Sequence, residues 1–214
     1  SALLWGGVAV ATPFAALWVR WLGRRRALIA SVALPLATLL GITLTTSLVL
    51  WALLYAAAGV GAALRWIVAE ATVAELAPPH RRGRLVGLFE TMVGLTFVLG
   101  PALLAMLGAE GDAAARSRWV AVALVALGFA CSLALPPLAA SAHDRATRLG
   151  WRGVVDALRA APAVMVAGLA GGFFESGLAG VLPLYGLAMG FGAAVSALLV
   201  SASGLGGTLT MLPL

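Results

Sequence analysis

Four ionisable residues lie inside long apolar stretches, Arg65, Glu70, Glu90 and Glu175, and Trp66 lies deeper in its stretch than the tryptophans near the predicted span ends. An ionisable side chain in a hydrocarbon environment costs about 2.5–3.5 kcal/mol or more, so each is a functional candidate. A low dielectric disfavours the charged form of a carboxylate, which can then take up and release a proton near pH 7. These residues could therefore bind an ion and carry a proton.

The spacing of these residues limits which of them can act together. Arg65 lies twelve residues before Ala77, where the apolar stretch ends, or about 18 Å along a helix. Arg65 and Glu70 are about 140° apart around a helix and cannot share a face. We predict that Arg65 contacts a substrate or acts as counter-ion to a carboxylate, and that Glu175 or Glu70 carries a proton. A structural ion pair of Arg65 with Glu90 or Glu175 is the alternative.

The amino-acid composition indicates whether these residues lie in a soluble domain or in a membrane. The 214 residues are 62% hydrophobic and 10% charged, whereas soluble domains carry about 25% charged residues. The net charge of +6 does not indicate a nucleic-acid partner, since the basic residues lie in short gaps between apolar runs. Cys131 is the single cysteine, so we predict no internal disulfide, no metal site and no cofactor.

The apolar runs are long enough to cross a bilayer as helices, because about 20 residues span the hydrocarbon core. They lack the alternating pattern of about ten residues that barrel strands show. The sequence therefore predicts an all-α, polytopic transmembrane bundle. Its seven predicted spans are 2–19, 27–46, 48–73, 85–108, 119–138, 162–183 and 193–214.

The arginines predict which side of the membrane each gap faces. Eleven of the fourteen lie in the gaps 20–26, 77–84 and 139–161, while Arg116 and Arg118 lie in a gap on the opposite side. Excess Arg and Lys in short loops marks the cytoplasmic face. We therefore expect these three loops to be cytoplasmic and the protein to lie in a bacterial inner membrane.

The gap at 139–161 is long and divides the chain. We predict an N-terminal helix bundle over 1–138, a cytoplasmic connector over 139–161, and the start of a C-terminal bundle over 162–214. An amphipathic run at 151–159 predicts a helix along the membrane surface. The apolar segments at both ends stop without flanking charge, so we expect a chain truncated at both ends.

Prolines and glycines inside the spans predict local features of the helices. Prolines there kink or end helices, and we expect this at Pro13, Pro35, Pro101 and Pro183. Small residues let helices approach closely. We expect such approach in two glycine patterns, Gly168-x-x-x-Gly172 and Gly204-x-Gly206-Gly207.

The hairpin between the first two spans resembles the cytoplasmic motif of the major facilitator superfamily. Gly23, Arg24 and Arg25 match the second half of that motif, whereas Arg20 stands where the family has an aspartate. In the family this aspartate joins a charge network that helps to hold the outward-facing state. The resemblance therefore implies a gate between two helices that lacks its usual acidic member.

Two further segments resemble motifs of drug-proton antiporters in this family. Residues 55–63 are similar to the fourth-helix motif, with Tyr55 where the family has an arginine. Gly100-Pro101 is similar to the antiporter motif of the next helix, without its final glycine pair. The resemblance implies that the chain covers about the second to eighth of twelve helices.

The resemblance implies a monomeric secondary transporter that works by alternating access in the lipid bilayer. We expect proton-coupled efflux of a small molecule, and import of a small organic solute is an alternative. An intramembrane enzyme is the alternative from another class. A rhomboid-type protease would need Gly-x-Ser-Gly and a histidine inside the membrane, but Ser176 follows Glu175, and His80 and His143 lie in loops.

Overall fold

The computed structural model describes residues 2–108, 110–138 and 150–210, without the side chains of Glu175 and Thr210. All regular elements of these residues are helical, which confirms the all-α prediction. The α-helices are α1 (Ala2–Ala11), α2 (Ala15–Leu22), α3 (Arg24–Leu44), α4 (Leu48–Leu76), α5 (Arg82–Leu107), α6 (Gly111–Leu133), α7 (Trp151–Ala160), α8 (Pro162–Ala188) and α9 (Ala193–Thr210).

Six stretches of the described chain are long and apolar enough to cross a membrane. The first consists of α1 and α2, and the others contain α3, α4, α5, α6 and α8. The predicted span at 193–214 forms α9, an 18-residue apolar helix, and its residues 211–214 lie outside the described part. The helix lengths and composition therefore confirm an integral membrane protein.

Several helix boundaries differ from those that the sequence predicted, among them those at the arginine hairpin and those of α6. The arginine hairpin is much shorter than 20–26, because α2 continues to Leu22 and α3 begins at Arg24. Gly23 alone makes the turn, at φ 78°, a conformation that glycine adopts at little cost. The helix predicted over 119–138 begins instead at Gly111 and ends at Leu133. Asp112 in its first turn favours the earlier start, because an acidic side chain stabilises a helix N-terminus.

The four prolines at which we predicted kinks or helix ends have two different effects on the helices. Pro13 lies in a 3-10 turn, Thr12–Phe14, that separates α1 from α2. Pro35, Pro101 and Pro183 lie inside α3, α5 and α8, which continue past them. Pro13 is therefore the proline that interrupts its helix.

Contacts group Ser1–Ala71 and Val120–Pro162 into one compact unit. Within this unit α4 packs against α1, where a side chain on Gly59 would meet the carbonyl oxygen of Leu4. It also packs against α3, where a side chain on Gly61 would meet Pro35. An apolar cluster lies near the arginine hairpin: Val19, Ala27, Leu28 and Val68, with Leu22, Ala69, Leu135 and Leu138 packed against it.

A second compact unit contains Thr72–Trp119 and Ala163–Leu214. Here α5 and α9 pack closely, because Gly204 lies against Phe97 and Gly94 lies against Thr208. The Ser201 hydroxyl donates a hydrogen bond of 2.8 Å to the carbonyl of Val98 across this interface. The division into successive bundles at residues 139–161 stays a prediction.

Candidate functional site in the membrane-spanning helices

Helix α4 carries three of the residues predicted to have a function, and most of its contacts come from small or aliphatic residues. Gly59 and Gly61 make the close approaches to α1 and α3. Ala63, Leu64 and Val68 are buried at 2–3% exposure. These close contacts of α4 within the first unit are therefore made by residues that carry no charge.

Arg65, Trp66 and Glu70 are the exposed residues in the same part of α4. Trp66 keeps 41% of its surface exposed. Their positions in one helix keep Arg65 and Glu70 about 140° apart, and among the described residues no hydrogen bond or ion pair joins these two. The three side chains are thus left exposed by the packing of α4 within the first unit.

The other two predicted carboxylates lie on different helices. Glu90 lies in α5 and is partly buried. Glu175 belongs to α8, and its side chain lies outside the described part of the structure. The structure thus places Arg65, Trp66 and Glu70 on one helix and Glu90 and Glu175 on two others. The roles of all five stay predictions.

The arginine hairpin has a defined geometry in the first unit. Arg25 donates from Nε to the carbonyl of Leu135 at 2.7 Å and from a terminal nitrogen to the carbonyl of Leu133 at 3.0 Å. Arg24 is buried at 5% exposure, while Arg20 and Arg26 are exposed. Arg25 therefore connects the start of α3 to the C-terminal end of α6.

The connection made by Arg25 is a role that sequence reasoning missed. The last carbonyls of a helix lack partners within the helix, and a cation there also interacts favourably with the helix dipole. Leu133 and Leu135 are more than a hundred residues from Arg25 in sequence. Nothing local to the Gly-Arg-Arg motif identifies these partners.

The two antiporter-like segments lie inside helices. Tyr55, at the position where the family has an arginine, stacks on Trp51 with ring centroids 5.0 Å apart. Gly100 is exposed with open space at its Cβ position, and Pro101 lies within the continuous helix α5. The glycines of the segment 55–63 are used for packing, whereas Gly100 meets no neighbour among the described residues.

An apolar groove of about 340 Å³ lies beside the break at Pro13. Its lining consists of Val10, Ala11, Phe14, Leu17, Trp18, Trp21 and Val60. None of these side chains is ionisable, so the groove offers no group that could hold a proton or pair with an ion. The exposed polar residues of α4 are the stronger candidate site.

Comparison with known families gives a match along the whole chain. A family model described as Major Facilitator Superfamily matches residues 1–214. Comparisons with curated proteins and with solved structures gave no match.

Proposed function

The chain belongs to the Major Facilitator Superfamily, and on that premise we propose that it exports a small molecule in exchange for protons. Members of this family are secondary transporters, which move small molecules across the lipid bilayer. Our proposal adds three points to this family assignment: export as the direction, coupling to protons, and membership of the antiporter-like branch. The resemblance of residues 55–63 and of Gly100-Pro101 to antiporter motifs supports that addition.

The exposure of three residues in one part of α4 is the observation on which the proposal rests. Arg65, Trp66 and Glu70 are exposed on a helix whose packing uses glycine, alanine and aliphatic residues. A charge inside the membrane costs several kcal/mol unless it has a partner or reaches a polar cavity. The Arg65 guanidinium is therefore expected to bind a carboxylate of the protein or an anionic group of the substrate.

We assign the proton to a carboxylate on a membrane-spanning helix. Glu70 and Glu175 are the leading candidates, and Glu90 is a further one. Protonation of a carboxylate removes its charge, which lowers the cost of moving it through a closed, dry state of the transporter. Loading from one side and release to the other would then couple proton entry to substrate exit.

Transport by the protein in proteoliposomes tests the role of Arg65. A panel of fluorescent dyes serves as substrates, and an imposed pH gradient supplies the driving force. We expect Arg65→Gln to lower dye transport about tenfold or more, because a charge-assisted contact contributes about 1.5–3 kcal/mol. Arg26→Gln, which removes an exposed arginine at the hairpin, is the matched control and should retain transport.

Full transport by Arg65→Gln would contradict the assignment of this residue. Failure of an imposed pH gradient to drive dye transport against a dye gradient, while downhill dye transport continues, would contradict proton coupling itself. Dye accumulation only in the direction that corresponds to uptake would show that the protein is an importer and would contradict the proposed export.

Proton release on dye addition separates the carboxylates. We expect Glu175→Gln or Glu70→Gln to abolish dye-dependent proton movement while downhill dye exchange continues. Glu110→Gln, which alters an exposed carboxylate outside the helices, is the matched control and should leave the coupling intact. Unchanged coupling in Glu175→Gln would remove that residue from the mechanism.

A further inference from the structure

The helix α7 carries a pair of arginines at the border of its apolar face. Arg152 and Arg159 are seven residues apart, so they lie about 20° apart around the helix and about 10 Å apart along it. Trp151 and Val155 lie beside them, at 60% and 41% exposure. Together with Asp156 these residues line one groove of about 350 Å³.

Both ends of α7 are attached to membrane-spanning segments. At its start, the Gly150 amide donates a hydrogen bond of 2.9 Å to the carbonyl of Pro13 in the break between α1 and α2. At its end, Ala161 alone separates α7 from α8. Pro13 is seven residues before Arg20, which is about 10 Å along a helix. These attachments hold α7 within about 10 Å of the membrane face that carries the arginine hairpin.

An amphipathic helix at that depth meets both acyl chains and headgroups, because such helices bury their apolar face about 5–10 Å into the boundary. Three apolar side chains of α7 are exposed and can contact acyl chains: Leu158, at 47% exposure, Trp151 and Val155. Arginine can extend its charged end from an apolar border to the level of the headgroups. Its planar guanidinium also binds phosphate oxygens in pairs.

We propose that the groove of α7 binds the headgroup of an anionic phospholipid. Arg152 and Arg159 bind the phosphate, and Trp151 and Val155 contact the upper part of the acyl chains. Asp156 lies four residues after Arg152 and three before Arg159, so the groove has one net positive charge. That charge complements the headgroup of an anionic lipid and favours it over a zwitterionic one.

Quenching of Trp151 by brominated lipids tests this site directly. The protein is reconstituted in phosphatidylcholine vesicles with a rising fraction of brominated phosphatidylglycerol. The fluorescence of Trp151 is obtained as the difference between the emission of the unchanged protein and that of Trp151→Phe. We expect quenching at low fractions of the anionic lipid, and at much higher fractions when brominated phosphatidylcholine replaces it.

The arginine variants separate a specific site from general surface charge. We expect Arg152→Gln and Arg159→Gln each to weaken the preference for the anionic lipid about fivefold, and the double variant about 25-fold. The double variant Arg152→Lys, Arg159→Lys retains the charge but not the planar guanidinium, so it should retain the part of the preference that depends on charge alone. Arg81→Gln with Arg84→Gln removes two exposed arginines elsewhere and should leave Trp151 quenching unchanged.

Two outcomes would overturn the proposal. They are an unchanged preference in the double Gln variant and an equal loss in the control at residues 81 and 84. The second would mean that general surface charge attracts the lipid. Quenching by brominated phosphatidylcholine in every variant shows that Trp151 still lies at the membrane.

Discussion

Helix α4 and the first half of α8 are both apolar and contain glycines, yet the glycines of α4 pack against neighbouring helices and those at 168 and 172 do not. In α4, Gly59 and Gly61 make close contacts with α1 and α3. Helix α8 has more glycines, but Gly168 and Gly172 have open space at their Cβ positions. The predicted close approach at Gly168-x-x-x-Gly172 is thus absent from the described residues, whereas that at Gly204 is present.

The comparison shows that a small-residue pattern permits close approach without specifying it. A glycine lets two helices come together only where a second surface has a complementary shape. Gly59 has such a surface in the backbone of α1 around Leu4 and Gly7. The packing of each helix therefore depends on residues that are distant in sequence.

The largest expected effect comes from adding one methyl group at Gly59. A Cβ there would meet the carbonyl oxygen of Leu4, and the backbone of α1 would have to move. Because a backbone obstacle cannot rotate away, we expect Gly59→Ala to destabilise the protein by about 3 kcal/mol. Thermal unfolding in detergent measures the change.

Gly172→Ala in α8 is the matched control, since it makes the same change where no atom lies within 4 Å. It should be neutral or slightly stabilising, because alanine favours a helix over glycine by up to about 1 kcal/mol. Equal melting temperatures for the two variants would show that α4 and α8 do not differ in packing.

The second largest loss of stability is expected from Arg25→Gln, which we compare with a change at the adjacent Arg26. Arg25→Gln removes the hydrogen bonds to the carbonyls of Leu133 and Leu135. We expect a loss of about 1–2 kcal/mol, since charged hydrogen bonds contribute about 1.5–3 kcal/mol and this site is partly exposed. Exchange of the last amides of α6 and thermal unfolding both report it. Arg26→Gln changes an exposed neighbour and should have little effect, so an equal loss would contradict the specific role of Arg25.

The smallest effect is expected in the interface between α5 and α9. A Cβ on Gly204 would lie 3.2 Å from backbone and side-chain atoms of Phe97, whereas one on Gly206 would meet nothing within 4 Å. Because a shift of a few tenths of an ångström relieves the contact, we expect Gly204→Ala to cost about 1 kcal/mol. Gly206→Ala should not destabilise. Unfolding of the two variants, compared directly, checks the difference, and a more stable Gly204→Ala would contradict the close contact.

Much of the fold follows from the sequence because it depends on local properties. The long charge-free stretches beside Arg20 and Arg26 predict membrane-spanning helices, and the structure has them at 2–22 and 24–44. The amphipathic run at 151–159 predicts a helix, and α7 covers it. Boundaries were less predictable, since the helices continue through Arg20 and Arg24 and leave only Gly23 as the turn.

The candidate site could be predicted only in part. The cost of a charge in hydrocarbon selects Arg65, Glu70, Glu90 and Glu175 from the sequence alone. The exposure of Arg65 and Glu70 on α4 depends instead on which face of that helix its neighbours occupy. Contacts such as that between Gly59 and Leu4 determine which face of α4 is covered, and no local sequence pattern predicts them.

The sequence by itself determined the membrane environment, the helical class and the family of this protein, because hydropathy and motifs act over short distances along the chain. Tertiary structure alone decided which glycines pack, which arginine binds the end of α6, and where α7 is attached. The reason is that these contacts join surfaces far apart in sequence, and shape and hydrogen-bonding geometry select them. The attachment of Gly150 to the carbonyl of Pro13 is such a contact, and it fixes the start of α7, which the sequence predicted only as an amphipathic helix along the membrane surface.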